Sequence, residues 1–176
     1  MSTNQDHIDL IARQLLRKHG IVLGKHRGKV TKVGTGENLG RIKVIIPTLF
    51  HEEETVWADP VVPFAGKQHG MAFLPEVGDG VWMEFEGGST SRPIWTGFFW
   101  GAKQMPPGVT EKVRVIATSH GHRVVLDDDK DEMRLEHGNG PKIVIGKDSI
   151  TLTVGGKKLV LDTRGLTVND GSLEVT

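Results

Sequence analysis

The sequence contains no cysteine and no tyrosine, and its charges cancel, with 22 Lys and Arg against 22 Asp and Glu. Without thiols there are no disulfides and no thiolate metal sites, and the redox compartment stays open. Zero net charge removes the usual electrostatic footprint of a nucleic-acid binder, a local patch aside. No apolar run approaches the ~18 residues of a membrane span, and the polar residues 1–7 do not read as a secretory leader. Catalytic signatures are also missing. No serine sits in a Gly-x-Ser-x-Gly turn, and Glu84 and Glu86 lie in or beside a strand-like run, as many surface acids do. Gly34, Gly36 and Gly40 have the wrong spacing for a dinucleotide loop, and a strand-like run follows them instead of a helix. A hairpin turn is the simpler reading. The expectation is a protein that is not an enzyme and carries no cofactor.

What the sequence does have is glycine, 23 residues of it, and a repeat. Short alternating runs start at Met133, Ile143, Ile150, Leu159, Leu166 and Leu173, with Gly or an Asx residue between them. The last five starts are 7, 9, 7 and 7 residues apart. Alternation marks half-buried strands, and a regular beat marks a repeat architecture. Each run offers only two or three apolar side chains on one face, and nothing after residue 113 has helical periodicity that would cover them. An uncovered apolar sheet is an aggregation hazard. Three copies wound around one axis would bury these faces and pair the edges. About 18 strands at ~4.8 Å spacing in three walls give a rod on the order of 30 Å long. The side chains expected on the axis are Ile143, Ile145, Ile150, Leu152, Leu159, Leu161, Leu166, Val168, Leu173 and Val175. A single-chain solenoid is the alternative.

The rest of the chain divides by pattern. Ile8, Ile11 and Leu15, flanked by Ala12 and Leu16, predict a short N-terminal helix that Asp6 caps and Gly20 stops. Its apolar stripe packs on the next domain or docks on another protein. From Gly28 the pattern turns to strands: 28–33, 41–46, the weaker 55–59 and 71–74, then 80–85 and 92–100. Five or so strands in about 75 residues suit a small closed barrel of the OB type. All four Trp and all six Phe lie between Phe50 and Trp100, which places the front core there. The division is an N-terminal helical segment at 1–24, a barrel at 25–100, a linker at 101–112 around Pro106 and Pro107, and a stem at 113–176.

Three weaker signals remain. His120 and His122, one residue apart, would share a strand face and in a trimer would place six imidazoles around the axis, a candidate transition-metal site. Ordinary polar positions at a strand start are the simpler reading. Asp127, Asp128 and Asp129 read as a solvated turn, since the alternating acids of a calcium loop are missing. Lys25, His26, Arg27 and Lys29 form a modest basic patch that an OB single-strand binder would use, whereas Trp57, Trp82 and Trp95 read as core.

Several stretches resemble the OB domain of phage baseplate protein V and of VgrG-type spikes. They are Leu39 to Val44, Pro63 to Gly66, Phe73 to Asp79, Val81 to Phe85 and Arg92 to Gly97. Residues 119–128 are similar to the segment that opens the spike stem in that family. The resemblance implies a mainly β homotrimer of OB barrel and intertwined β-helical stem, the central spike of a contractile tail or injection machine. It implies a hub protein above, a small PAAR-type tip below, contact with the target membrane only through piercing, and no nucleic acid. Such a protein is made in the cytoplasm and assembled into a phage tail or an extracellular or cell-attached particle. The chain lacks the fused hub of a full VgrG, a lysozyme insertion, and the His-x-His ending that binds iron at some apices. The expectation is therefore a flat stem end capped by a separate tip protein. An OB-fold single-strand-binding module is the rival reading.

Overall fold

The computed structural model describes residues 11, 14 and 18–175. Most of the expected N-terminal helix lies outside them, although Ile11, Gln14 and Lys18 are helical. The chain forms two compact units, divided between Lys103 and Gln104. No helix among the described residues is long and apolar enough to cross a membrane.

The first unit is a curled sheet. Its strands are β1 (His26–Val33), β2 (Ile42–Ile45), β3 (Asp59–Pro60), β6 (Gly80–Phe85) and β7 (Pro93–Phe99), in the order β2-β1-β6-β7-β3. A separate two-residue ladder joins β4 (Ala65–Gly66) to β5 (His69–Gly70). All pairings in the main sheet are antiparallel except β3 with β7. Register shifts between Val30 and Lys32 and between Trp82 and Met83 add the bulges that let so small a sheet curl. Alternation in β6 points Val81, Met83 and Phe85 inward. They meet Val30, Ile42, Val44, Ile46, Ala58 and Trp95 in one core. Gly28 is required where it stands, because a Cβ there would collide with the Val44 side chain. Thr55 is the buried polar residue of this core, and its hydroxyl accepts the Val44 amide at 3.2 Å.

Two expectations for this unit are corrected. Met71 to Leu74 is no strand; these residues are exposed and irregular. The run is apolar but does not alternate, and no neighbouring strand has a free edge paired to it. The aromatic-rich interval does bracket the core, but of those ten rings only Phe85 and Trp95 are buried. Trp95 fills the centre and donates its indole N–H to the Gly40 carbonyl at 3.1 Å. Trp57 and Trp82, read as core from sequence, are only partly buried.

The second unit is an antiparallel meander in strict chain order: β8 (Val113–Ala117), β9 (Arg123–Asp127), β10 (Glu132–Glu136), β11 (Lys142–Ile145), β12 (Ser149–Val154), β13 (Lys157–Asp162), β14 (Gly165–Val168) and β15 (Leu173–Val175). Tight turns make the beat. Asn169 and Asp170 both take positive φ before Gly171, and the Asn169 side chain accepts the Lys158 amide at 3.0 Å. Asp162 grips its own turn, accepting the Arg164 amide at 2.8 Å and the Arg164 guanidinium at 2.7 Å.

Candidate functional site: the apolar face of the second sheet

With a side-chain period of two, an unbroken register stacks like on like across a meander. Ile116 faces Val124, then Leu135, Ile143, Leu152, Leu159, Val168 and Leu173. Two residues along, Leu126 faces Met133, then Ile145, Ile150, Leu161, Leu166 and, by register, Val175. Two apolar rows therefore run the length of one face. They are not covered: Met133, Leu135 and Leu161 are 48–49% exposed, and Ile150 and Leu152 39%. Among the described residues of this unit, Val113 and Val125 are the buried apolar side chains, and both lie on the opposite face.

That opposite face carries a network of charge pairs. Arg134 donates to Asp127 and to Glu136, each at 3.0 Å, and also to Glu132. Arg123 donates to the Pro107 carbonyl at 2.8 Å and lies 3.5 Å from Glu136. Val125 and Val144 fill the space around them by register. Burial works to raise the pKa of Asp127, but hydrogen bonds from Arg134 and from the Lys130 amide outweigh it and hold the carboxyl below the usual aspartate value. Burial likewise works against the charge on Arg134, and the carboxylates of Asp127, Glu132 and Glu136 hold its pKa above the ordinary one. Arg134, Asp127, Glu132 and Glu136 on this side have their partners in the same chain, while the Arg123 Nε is buried without one. The apolar rows on the other side have none.

The ten residues expected on a trimer axis all take register positions in these two rows. Sequence reasoning stopped short at Ile143. The rows continue through Leu135, Met133, Leu126, Val124 and Ile116, whose alternation was equally visible in the sequence.

The histidines fall differently. His120 lies in the turn between β8 and β9, so the shared strand face with His122 does not exist. His122 instead meets His137 across the sheet, with ring centroids 4.4 Å apart. His122 Nδ1 accepts the Gly138 amide at 3.3 Å, and His137 Nδ1 accepts the Asn139 amide at 3.4 Å. Among the described residues no cluster of three or more His, Asp or Glu is placed to hold a metal. The acidic turn is likewise spoken for: Asp127 pairs with Arg134, Asp128 with Arg114, and Asp129 with Lys112 at 3.3 Å.

Two cations of the basic patch of the first unit, Lys25 and Arg27, are engaged. Arg27 lies 5.2 Å from the Trp82 ring and 4.9 Å from the Phe99 ring, and Lys25 pairs with Glu84 at 2.9 Å. The aromatic faces that would stack a base already carry the chain's own cation. The stretch from Leu74 to Asp79 is a locked turn. The Asp79 carboxylate accepts the Glu76 amide at 2.7 Å, and Gly78 takes φ +99° while donating to the Val30 carbonyl at 2.9 Å.

Comparison with known proteins divides the chain at the same place. Residues 26–100 match the family model of the type VI secretion system/phage-baseplate injector OB domain. Residues 113–174 match that of the phage baseplate V C-terminal trimerisation domain. None of the curated proteins matches the chain at a significant level.

Proposed function

The chain belongs to the phage baseplate V family of VgrG-like spikes, and on that premise we propose that its trimer is the central puncturing rod of a contractile tail or injection machine. The observation that carries this reading is the pair of uncovered apolar rows on a sheet that matches a trimerisation domain. Three such faces turned toward one axis cover one another. Burying the exposed half of each Leu or Ile contributes about 1 kcal/mol, repeated over both rows and three chains. Ile143, Ile145, Ile150, Leu152, Leu159, Leu161, Leu166, Val168, Leu173 and Val175 line that axis, and the paired charges of the opposite face meet water.

Mechanics follows from the same packing. A strand that frays in one protomer uncovers the other two, so local opening costs more than in a free sheet. The stem therefore transmits axial force. The barrel joins the stem to a hub at the tube, and a PAAR-type tip closes the distal end. The matched families are structural domains, which fits a part that works by shape rather than by chemistry. The test is to label the chain in assembled particles and locate it by electron microscopy. The expected position is on the tube axis at the baseplate, and particles made without the chain lack a complete baseplate. Label along the sheath, or complete particles without the chain, would overturn the proposal.

A further inference from the structure

The turn between β10 and β11 carries Asn139-Gly140, and residues 137–140 are exposed. Backbone and imidazole hold this turn. The His137 amide donates to the Pro141 carbonyl at 2.9 Å, the Gly138 amide to His122 Nδ1 at 3.3 Å and the Asn139 amide to His137 Nδ1 at 3.4 Å. None of these bonds uses the Asn139 carboxamide, and among the described residues no partner holds it. The amide that follows, that of Gly140, reaches the His137 carbonyl only at 3.4 Å. Gly140 also has no Cβ to shield its nitrogen. The other asparagines among the described residues are placed differently. The Asn169 side chain accepts the Lys158 amide at 3.0 Å, and Asp170 follows it. Asn38 precedes Leu39, whose Cβ crowds the shared peptide and whose amide is committed to the Gly36 carbonyl at 3.1 Å.

We propose that Asn139 is a self-modifying site, which deamidates in the folded chain and remodels the β10–β11 turn as it does so. Asparagine is among the thermolabile side chains, and an exposed, unheld carboxamide beside a glycine is its most reactive setting. The Gly140 nitrogen bonds to Asn139 Cγ, the carboxamide C–N bond breaks, and ammonia leaves with the proton of the Gly140 N–H. The product is a succinimide ring. Solvent water then opens one of its two carbonyls, so that one water is consumed for each ammonia released and nothing is oxidised or reduced. Opening on one side gives aspartate. Opening on the other gives isoaspartate, in which the main chain runs through the side-chain carboxyl and gains a methylene. Turn length sets hairpin register. The Glu136↔Lys142 and Leu135↔Ile143 pairs stand next to this turn, and the second belongs to an apolar row of the stem. A longer turn with a new negative charge loosens these pairs first. The site itself stands apart from the trimer reading, since every residue it uses lies in one chain.

The test ages the full chain at neutral pH and body temperature and follows its peptides by mass spectrometry, with electron-transfer fragmentation to separate isoaspartate from aspartate. The expected result is that the Asn139 peptide exchanges NH for O at least roughly tenfold faster than the Asn38 or Asn169 peptide, with isoaspartate the larger product. Calorimetry of the same samples should show the stem transition falling as conversion proceeds, while the barrel transition stays where it was. Asn139→Gln closes the corresponding ring far more slowly and should keep the stem transition of fresh protein over the same period. Conversion no faster at Asn139 than at Asn38 and Asn169 would overturn the site. A stem transition that falls equally in Asn139→Gln, or that does not follow conversion, would overturn the effect assigned to the turn.

Discussion

The two units use the same strand chemistry and arrive at different kinds of fold. The first curls until Ile42, Val44, Ile46, Val81 and Met83 have no exposure at all, around one buried Trp95. The second runs eight strands in chain order and leaves Leu135, Leu161 and Leu173 about half exposed. Alternation is equally clean in both. The difference lies in the connections. Bulges at Val30/Lys32 and Trp82/Met83 and the parallel return of β3 to β7 close the first sheet on itself. The second has only tight turns between neighbours and cannot cover its own face. A closed sheet completes its core within one chain. An open one with an apolar face is one wall of a larger structure.

The contrast breaks most sharply at Leu161. Leu161→Asp places three like charges together in a dry interface and abolishes the trimer, while the barrel still folds. Light scattering with circular dichroism separates the two effects, and an intact trimer of unchanged thermal stability would contradict the axial placement. Trp95→Ala strikes the other unit. It removes the largest buried side chain of the barrel and costs about 3–5 kcal/mol there, with the solution mass unchanged. A scanning calorimeter should show the barrel transition falling alone.

Arg134→Met tests the polar face of the stem. It keeps the aliphatic packing but leaves Asp127, Glu132 and Glu136 facing one another. The stem transition drops by roughly 5 °C or more without loss of the trimer. Acid gives the mildest effect. Asp127 and Asp162 are held below the ordinary aspartate value of 3.8 in the folded chain. The stability they contribute is present above that value and is lost as pH falls through their lower folded values. Glu54, lowered chiefly by a hydrogen bond from Thr31, acts in the same direction in the barrel. Thermal midpoints should therefore not respond to these groups between pH 7 and 5, and should fall below about pH 4.5 in the barrel and below about pH 3.8 in the stem. For Asp127, the Arg134→Met variant should remove part of that acid dependence.

Much of this was written in the sequence, because meander register follows from hairpin spacing. The beat from Ile143 to Leu173 fixes which residues face each other, and alternation fixes the shared face. What depends on closure was hidden. Trp57, Trp82 and Trp95 all read as core, but which side of a bulged strand faces inward is decided by the curl. The nonalternating Met71 to Leu74 resembled a strand because apolar content without periodicity does not separate a buried edge from an exposed loop. His122 and His137 are 15 positions apart, and only the β9–β10 register makes them neighbours. The same pairing brings Asp127 to Arg134 and accounts for an acidic cluster that composition alone left as a solvated turn.

Whether three chains share one apolar core is tested most directly by the mass of the full chain in solution. With a chain of 19.3 kDa, light scattering should give a single species of three times that mass. It should also hold together in detergent on an unboiled gel. A monomer at micromolar concentration, with its stem sheet folded, would contradict the account.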